Sequence, residues 1–98
     1  MFIASVVGNV WGTRKHPSME RRRLLLVQPI DPLTEKPLGD AVMAIDGGVD
    51  SGPGSVVLVV DEGNGARQIL GDRKAPVRAV VCGIVEKVVS GRKAKSYE

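Results

Sequence analysis

The sequence predicts an all-β domain: a five-stranded, partly open barrel of the oligonucleotide/oligosaccharide-binding type. Three observations predict it. Five short runs are rich in β-branched and aliphatic residues, glycine or proline separates each from the next, and helical periodicity is nearly absent. At 98 residues the chain is one domain's worth. That domain is placed over residues 1–90, with 91–98 as a flexible charged tail.

The runs are residues 2–10, 23–28, 41–45, 56–60 and 77–89. Gly8 and Gly12 punctuate the first, Pro29 and Pro32 the second, Gly47 and Gly48 the third, and Gly63 and Gly65 the fourth. Pro76 opens the fifth. Residues 66–70 are compatible with one short helical turn, with Asn64 or Gly65 before it and Gly71 to end it.

Side-chain alternation then says what the strands face. In the last run one face carries Val77, Ala79, Val81, Gly83 and Val85, and the other Arg78, Val80, Cys82, Ile84 and Glu86. Residues 24–27 and 56–60 are apolar on both faces. Strands buried on both sides usually lie in sheets covered by helices, and this chain has none long enough for that task. Uncovered, the outer faces form apolar patches that soluble monomers seldom carry, so the simplest cover is another subunit. Val80 and Ile84 are the interface candidates on that face. Closure into a barrel also removes most unpaired strand edges.

Composition agrees with a small associating domain. Hydrophobic residues make up 43% of the chain, and Phe2, Trp11 and Tyr97 are the sole aromatics. A domain this size buries only about 60–65% of its unfolded surface, so association is a natural source of further burial. The net charge of +3 is too mild to name nucleic acid or membrane as a partner. Cys82 is the single cysteine, which excludes an intrachain disulfide and reads as a small buried hydrophobe. No apolar stretch nears the ~20 residues of a membrane span and no signal peptide is visible, so the cytosol is the expected compartment.

No catalytic, cofactor-binding or metal-binding constellation emerges. His16 is the lone histidine and has no ligand cluster at metal spacing, so it reads as a loop residue. Asp46, Asp50, Asp61 and Glu62 stand beside glycines at strand ends, where turn or surface roles suit them. The glycine-rich stretch 47–54 lacks the lysine and following helix of a phosphate loop. It suits a crowded symmetry axis at least as well as a ligand. Arg21, Arg22 and Arg23, and Arg92, Lys93 and Lys95 in the tail, are the basic clusters. A nucleic-acid-binding barrel using the arginine face is the alternative function. It is poorly supplied with stacking aromatics, since only Phe2 and Trp11 lie within the folded region.

Several segments, read in order, resemble one family. They are Gly8-Asn9-Val10-Trp11-Gly12-Thr13-Arg14-Lys15, Leu24-Leu25-Leu26-Val27-Gln28-Pro29, and Ala44-Ile45-Asp46. Gly52-Pro53-Gly54-Ser55-Val56-Val57-Leu58-Val59, Ala66-Arg67, and Pro76 before Val81-Cys82-Gly83-Ile84-Val85 complete the series. Together they resemble the EutN/CcmL family of bacterial microcompartment vertex proteins, over about residues 1–89. The resemblance implies a barrel subunit that assembles as a homo-pentamer and caps the vertices of a polyhedral shell. Hexameric facet proteins are the implied neighbours, and no catalysis, cofactor, nucleic acid or membrane is implied. Within such a ring, Ser51, Gly52, Pro53, Gly54 and Ser55 are expected near the five-fold axis, where Gly52 and Gly54 let backbones crowd and the serines meet water. Arg14, Lys15 and Arg67 are candidates for polar contacts between subunits or to facets, with a solvated surface role as the alternative. The chain departs from the family where Ser51-Gly52-Pro53-Gly54-Ser55 replaces a loop that usually ends in an acidic residue. Arg21 and Arg22 stand where a glycine and an apolar residue are common, and Gly63-Asn64-Gly65 precedes Ala66-Arg67 in place of a Gly-Ser-Ser run.

Overall fold

The computed structural model describes residues 1–10, 23–62, 69 and 78–97. Its strands are β1 (Phe2–Val10), β2 (Leu24–Pro29), β3 (Val42–Asp46), β4 (Val56–Asp61), β5 (Ala79–Ile84), β6 (Lys87–Ser90) and β7 (Lys93–Ser96). The first five form a closed barrel in the order β1-β2-β3-β5-β4.

The long first strand makes closure possible. Phe2 to Ser5 pair with β4, while Ala4 to Val10 pair with β2, so one strand turns the corner between two neighbours. A bulge between Val6 and Gly8 supplies the bend. The last seam is a short parallel pairing, Ile45 with Val80 and Asp46 with Val81. That seam closes the gap the sequence reading expected to stay partly open.

Inside lie Ala4, Val6, Leu25, Val27, Ala44, Val57, Val59, Ala79 and Val81, with Phe2, Val42 and Val49 packed against them. These are mostly small and branched side chains, which suits a narrow barrel whose interior only side chains fill. Each fully buried Val or Leu contributes about 1.5–3 kcal/mol of transfer free energy.

Two predicted elements turn out differently. The run 77–89 is not one strand: β5 ends at Ile84 and β6 begins at Lys87. Beyond residue 90, where a frayed tail is expected, Lys93–Ser96 pairs with Lys87–Ser90 as a hairpin. Gly91 turns it at a φ of 61°, and a two-residue connection needs a positive φ at its first position. Tyr97 N donates to Glu86 O and extends the ribbon, and the Tyr97 hydroxyl donates to the Pro32 carbonyl. The predicted helical turn at 66–70 lies outside the described residues, save Ile69.

Candidate functional site

The β3–β4 loop is organised by one carboxylate. Asp46 ends β3 and is only 8% exposed. Its Oδ1 accepts from Gly48 N and Val49 N, both at 2.9 Å, and its Oδ2 from Ser51 N at 3.0 Å. The chain can wrap the carboxylate because Gly48 and Asp50 adopt φ of 102° and 57°. Arg23 closes the arrangement from β2's side, with Nη1 2.7 Å from Asp50 Oδ1 and 3.8 Å from Asp46 Oδ2. With its oxygens occupied by backbone donors and a guanidinium, Asp46 holds the loop in shape.

The five residues assigned to a symmetry axis do form one loop tip, but they are not alike. Ser51 is fully buried, so its side chain does not meet water as the axis assignment requires. Its Oγ finds no hydrogen-bond partner among the described residues. Gly52 O accepts from Ser55 N at 2.9 Å, making a tight turn with Pro53 and Gly54 exposed at its apex. Gly54 has a φ of 94° and donates to Val6 O at 3.0 Å, while Ser55 O accepts from Val6 N at 2.9 Å. The tip is therefore tied to β1. A bulky side chain at Gly54 strains the backbone whatever it does to assembly.

Val80 must be corrected. It is fully buried within the single subunit, together with Ile45 at 2% exposure, and offers nothing to a neighbour. The cover is local: Gly47 donates to Val81 O at 2.8 Å. A Cβ on Gly47 would stand 3.0 Å from Val80 Cγ1 and from Ile69 Cγ2. Ile84 is 50% exposed and remains available. However, it pairs with Val57, a core residue, so it shares the inner face and not that of Val80. The bulge between Leu58 and Val59 resets the alternation that linked the two in sequence. Arg14, Lys15, Arg67, Arg21, Arg22 and His16 lie outside the described residues. Cys82 is half-buried, its thiol 3.6 Å from Leu58 O.

The exposed apolar surface lies elsewhere on the barrel. Register aligns Gly8, Leu26 and Met43 across β1, β2 and β3. Met43 is 58% exposed and Val7, on the β1 bulge, 53%. Sequence reasoning singled out neither, although Met43 stands in the run 41–45, which is apolar throughout.

The same barrel is found in known proteins. The profile of the family described as "Ethanolamine utilisation protein EutN/carboxysome" matches residues 1–86. The chain belongs to this family. The bacterial microcompartment shell vertex protein EutN of Escherichia coli K12 is 40% identical over 91 residues, which is 93% of each chain. The solved structure of Gloeobacter violaceus CcmL superposes with a TM-score of 0.86 at 38% identity, covering 98% of this chain and 97% of that one. The GrpN pentameric microcompartment shell protein of Rhodospirillum rubrum superposes with a TM-score of 0.79 at 31% identity, covering 92% and 99%.

Proposed function

We propose that this chain is a vertex subunit of a bacterial microcompartment shell, acting as a ring of five and carrying out no catalysis of its own. The observation that carries the reading is the near full-length superposition on a pentameric shell protein. The uncovered band around Leu26 and Met43 supplies a physical reason for association, since it is apolar surface that one subunit alone leaves in water.

A ring requires a heterologous interface, in which one patch meets a different patch on the next copy and the rotation closes. Closure at five makes a unit that supplies curvature where flat sheets of hexamers cannot. We assign hexameric facet proteins as the neighbours. Single contacts to them can be weak, because several contacts from one ring engage together and gain avidity. Asp46 and Arg23 then serve to hold the exposed tip at Pro53 and Gly54 in one conformation in every copy. Arg23 of the basic cluster is committed to that loop, which removes one arginine from the face that nucleic-acid binding would need.

Native mass spectrometry over a dilution series tests the ring. A dominant five-subunit species is expected, and a monomer at every concentration overturns the reading. Mixing the ring with hexameric facet protein and imaging the product by electron microscopy tests the neighbour. Closed shells are expected with the ring present and open sheets or tubes without it.

A further inference from the structure

The C-terminal hairpin carries a charge pattern that the shell reading leaves unused. Between residues 86 and 97 stand Lys87, Arg92, Lys93 and Lys95 against Glu86 alone, a net +3. The whole chain is also +3, with 14 Lys and Arg against 11 Asp and Glu, so the other ten basic and ten acidic residues cancel. With Glu98, next in sequence, the C-terminal segment keeps +2 of the chain's +3, so most of the net charge sits on one small ribbon. Lys95 has an acid, Glu35, at 3.1 Å. Lys87, Arg92 and Lys93 are exposed, and none pairs with a carboxylate among the described residues.

The ribbon is also structurally incomplete. It is two strands wide and separate from the barrel sheet, so each strand has an outer edge without a neighbouring strand among the described residues. Two-stranded sheets are marginal alone and gain from a further strand or a packed face. Register puts Val88 opposite Lys95 and Ser90 opposite Lys93 on one face, and Lys95 reaches Glu35 of the subunit's own β2–β3 loop. The other face carries Lys87, Ser96, Ala94 and Val89, the last 64% exposed.

We propose that this hairpin is the docking strand for an acidic, extended segment of a partner protein. The segment adds its backbone to an open edge of the ribbon and sets its carboxylates beside Lys87, Arg92 and Lys93. An open strand edge hydrogen-bonds a peptide backbone in register, which a nucleic acid does not reproduce. The ribbon carries one aromatic, Tyr97, and it is already engaged, with its hydroxyl on the Pro32 carbonyl and the Lys95 ammonium 5.9 Å from its ring centroid. If the subunits form the proposed ring, each ring carries several such sites and linked acidic segments gain avidity. That last step alone rests on the ring.

Fluorescence anisotropy on the full chain, with a labelled short peptide of Glu-Glu-Val-Val repeats whose glutamates fall on both faces of a strand as Lys87 and Lys93 do, tests the site. A Glu/Pro peptide of equal charge cannot complete a strand, and a thymidine oligonucleotide of equal length offers charge without a peptide backbone. The Glu/Val peptide is expected to bind at least about tenfold tighter than either, with affinity falling as salt is raised. The triple variant Lys87→Glu, Arg92→Glu, Lys93→Glu is expected to lose at least about tenfold. Should it fail to fold by circular dichroism, Lys87→Gln with Lys93→Gln carries the same expectation at smaller size. Native mass spectrometry of the variant separates the two ideas, since a lost site with an intact ring leaves the vertex reading standing. Equal binding of the Glu/Pro peptide, tighter binding of the oligonucleotide, no binding, or indifference to the variants overturns the proposal.

Discussion

Two outer bands of the same barrel have opposite fates. Along one, Leu24, Ile45, Val80 and Val60 stand side by side by register, and its two central residues are almost wholly buried. Along the other, Gly8, Leu26 and Met43 stand side by side, and Met43 remains 58% exposed. Both bands are apolar and both face away from the barrel's interior. The difference lies in what the chain lays over them. Gly47, at the root of the β3–β4 loop, lies against Val80 of the first band with Ile69 beside it, while Met43 on the second stays exposed among the described residues. The covered band belongs to the stability of one subunit and the bare band is free for another.

The comparison breaks most visibly at the covered band. Ile45→Ala leaves a cavity under the loop and is expected to cost about 2–5 kcal/mol in denaturant unfolding. Gly47→Ala tests the seal itself. Its Cβ would stand 2.5 Å from Val81 O, a backbone atom with little room to move, so a loss of about 1–3 kcal/mol is expected in the same measurement. Met43→Ser sharpens the contrast from the other side. Unfolding of subunits kept apart by dilution is expected to change by less than about 0.5 kcal/mol, while native mass spectrometry shows the ring dissociating at higher protein concentration. A loss of subunit stability at Met43 as large as at Ile45 would remove the distinction between the bands.

The smallest effect concerns the hairpin. Burial raises the pKa of Tyr97 above its ordinary value of 10.0, and the Glu35 carboxylate adds to the shift. Folding thus favours the neutral phenol. Its contribution to docking the ribbon on the Pro32 carbonyl is complete below the unfolded value and is lost as pH rises through the folded one. Tyr97 is the sole tyrosine, so ultraviolet absorbance titrates it directly. A midpoint above that of an unfolded control is expected, with Glu35→Gln lowering it by a fraction of the shift. A midpoint equal to the control would show that the hydroxyl is not held.

Much of the fold was legible because strand periodicity and glycine or proline punctuation are local signals. The first four runs match their strands to within a residue or two at each end. The hairpin was not read, although Gly91 between Val88-Val89 and the alternating Lys93-Ala94-Lys95-Ser96 is a local signal. Its charges made it look like a solvated tail. The split of the fifth run and the face of Ile84 were harder. A bulge changes which side a residue takes without changing the residue, so alternation counted straight through it gives the wrong face. At the loop, the glycines announced an unusual backbone. The buried Asp46 at its centre was visible only as one more turn aspartate.

Residue pattern alone determined that this chain forms short strands, that they wrap a core of small branched side chains as a barrel, and that their outer faces carry more apolar surface than one subunit needs. It could do so because propensity, periodicity and turn chemistry act over a few neighbouring residues. Tertiary structure alone decided which outer face is bare, because burial depends on contacts between residues far apart in sequence. Gly47 lies over Val80, Arg23 reaches Asp50, and the β1 bulge against β2 puts Gly8 on the same outer face as Val7.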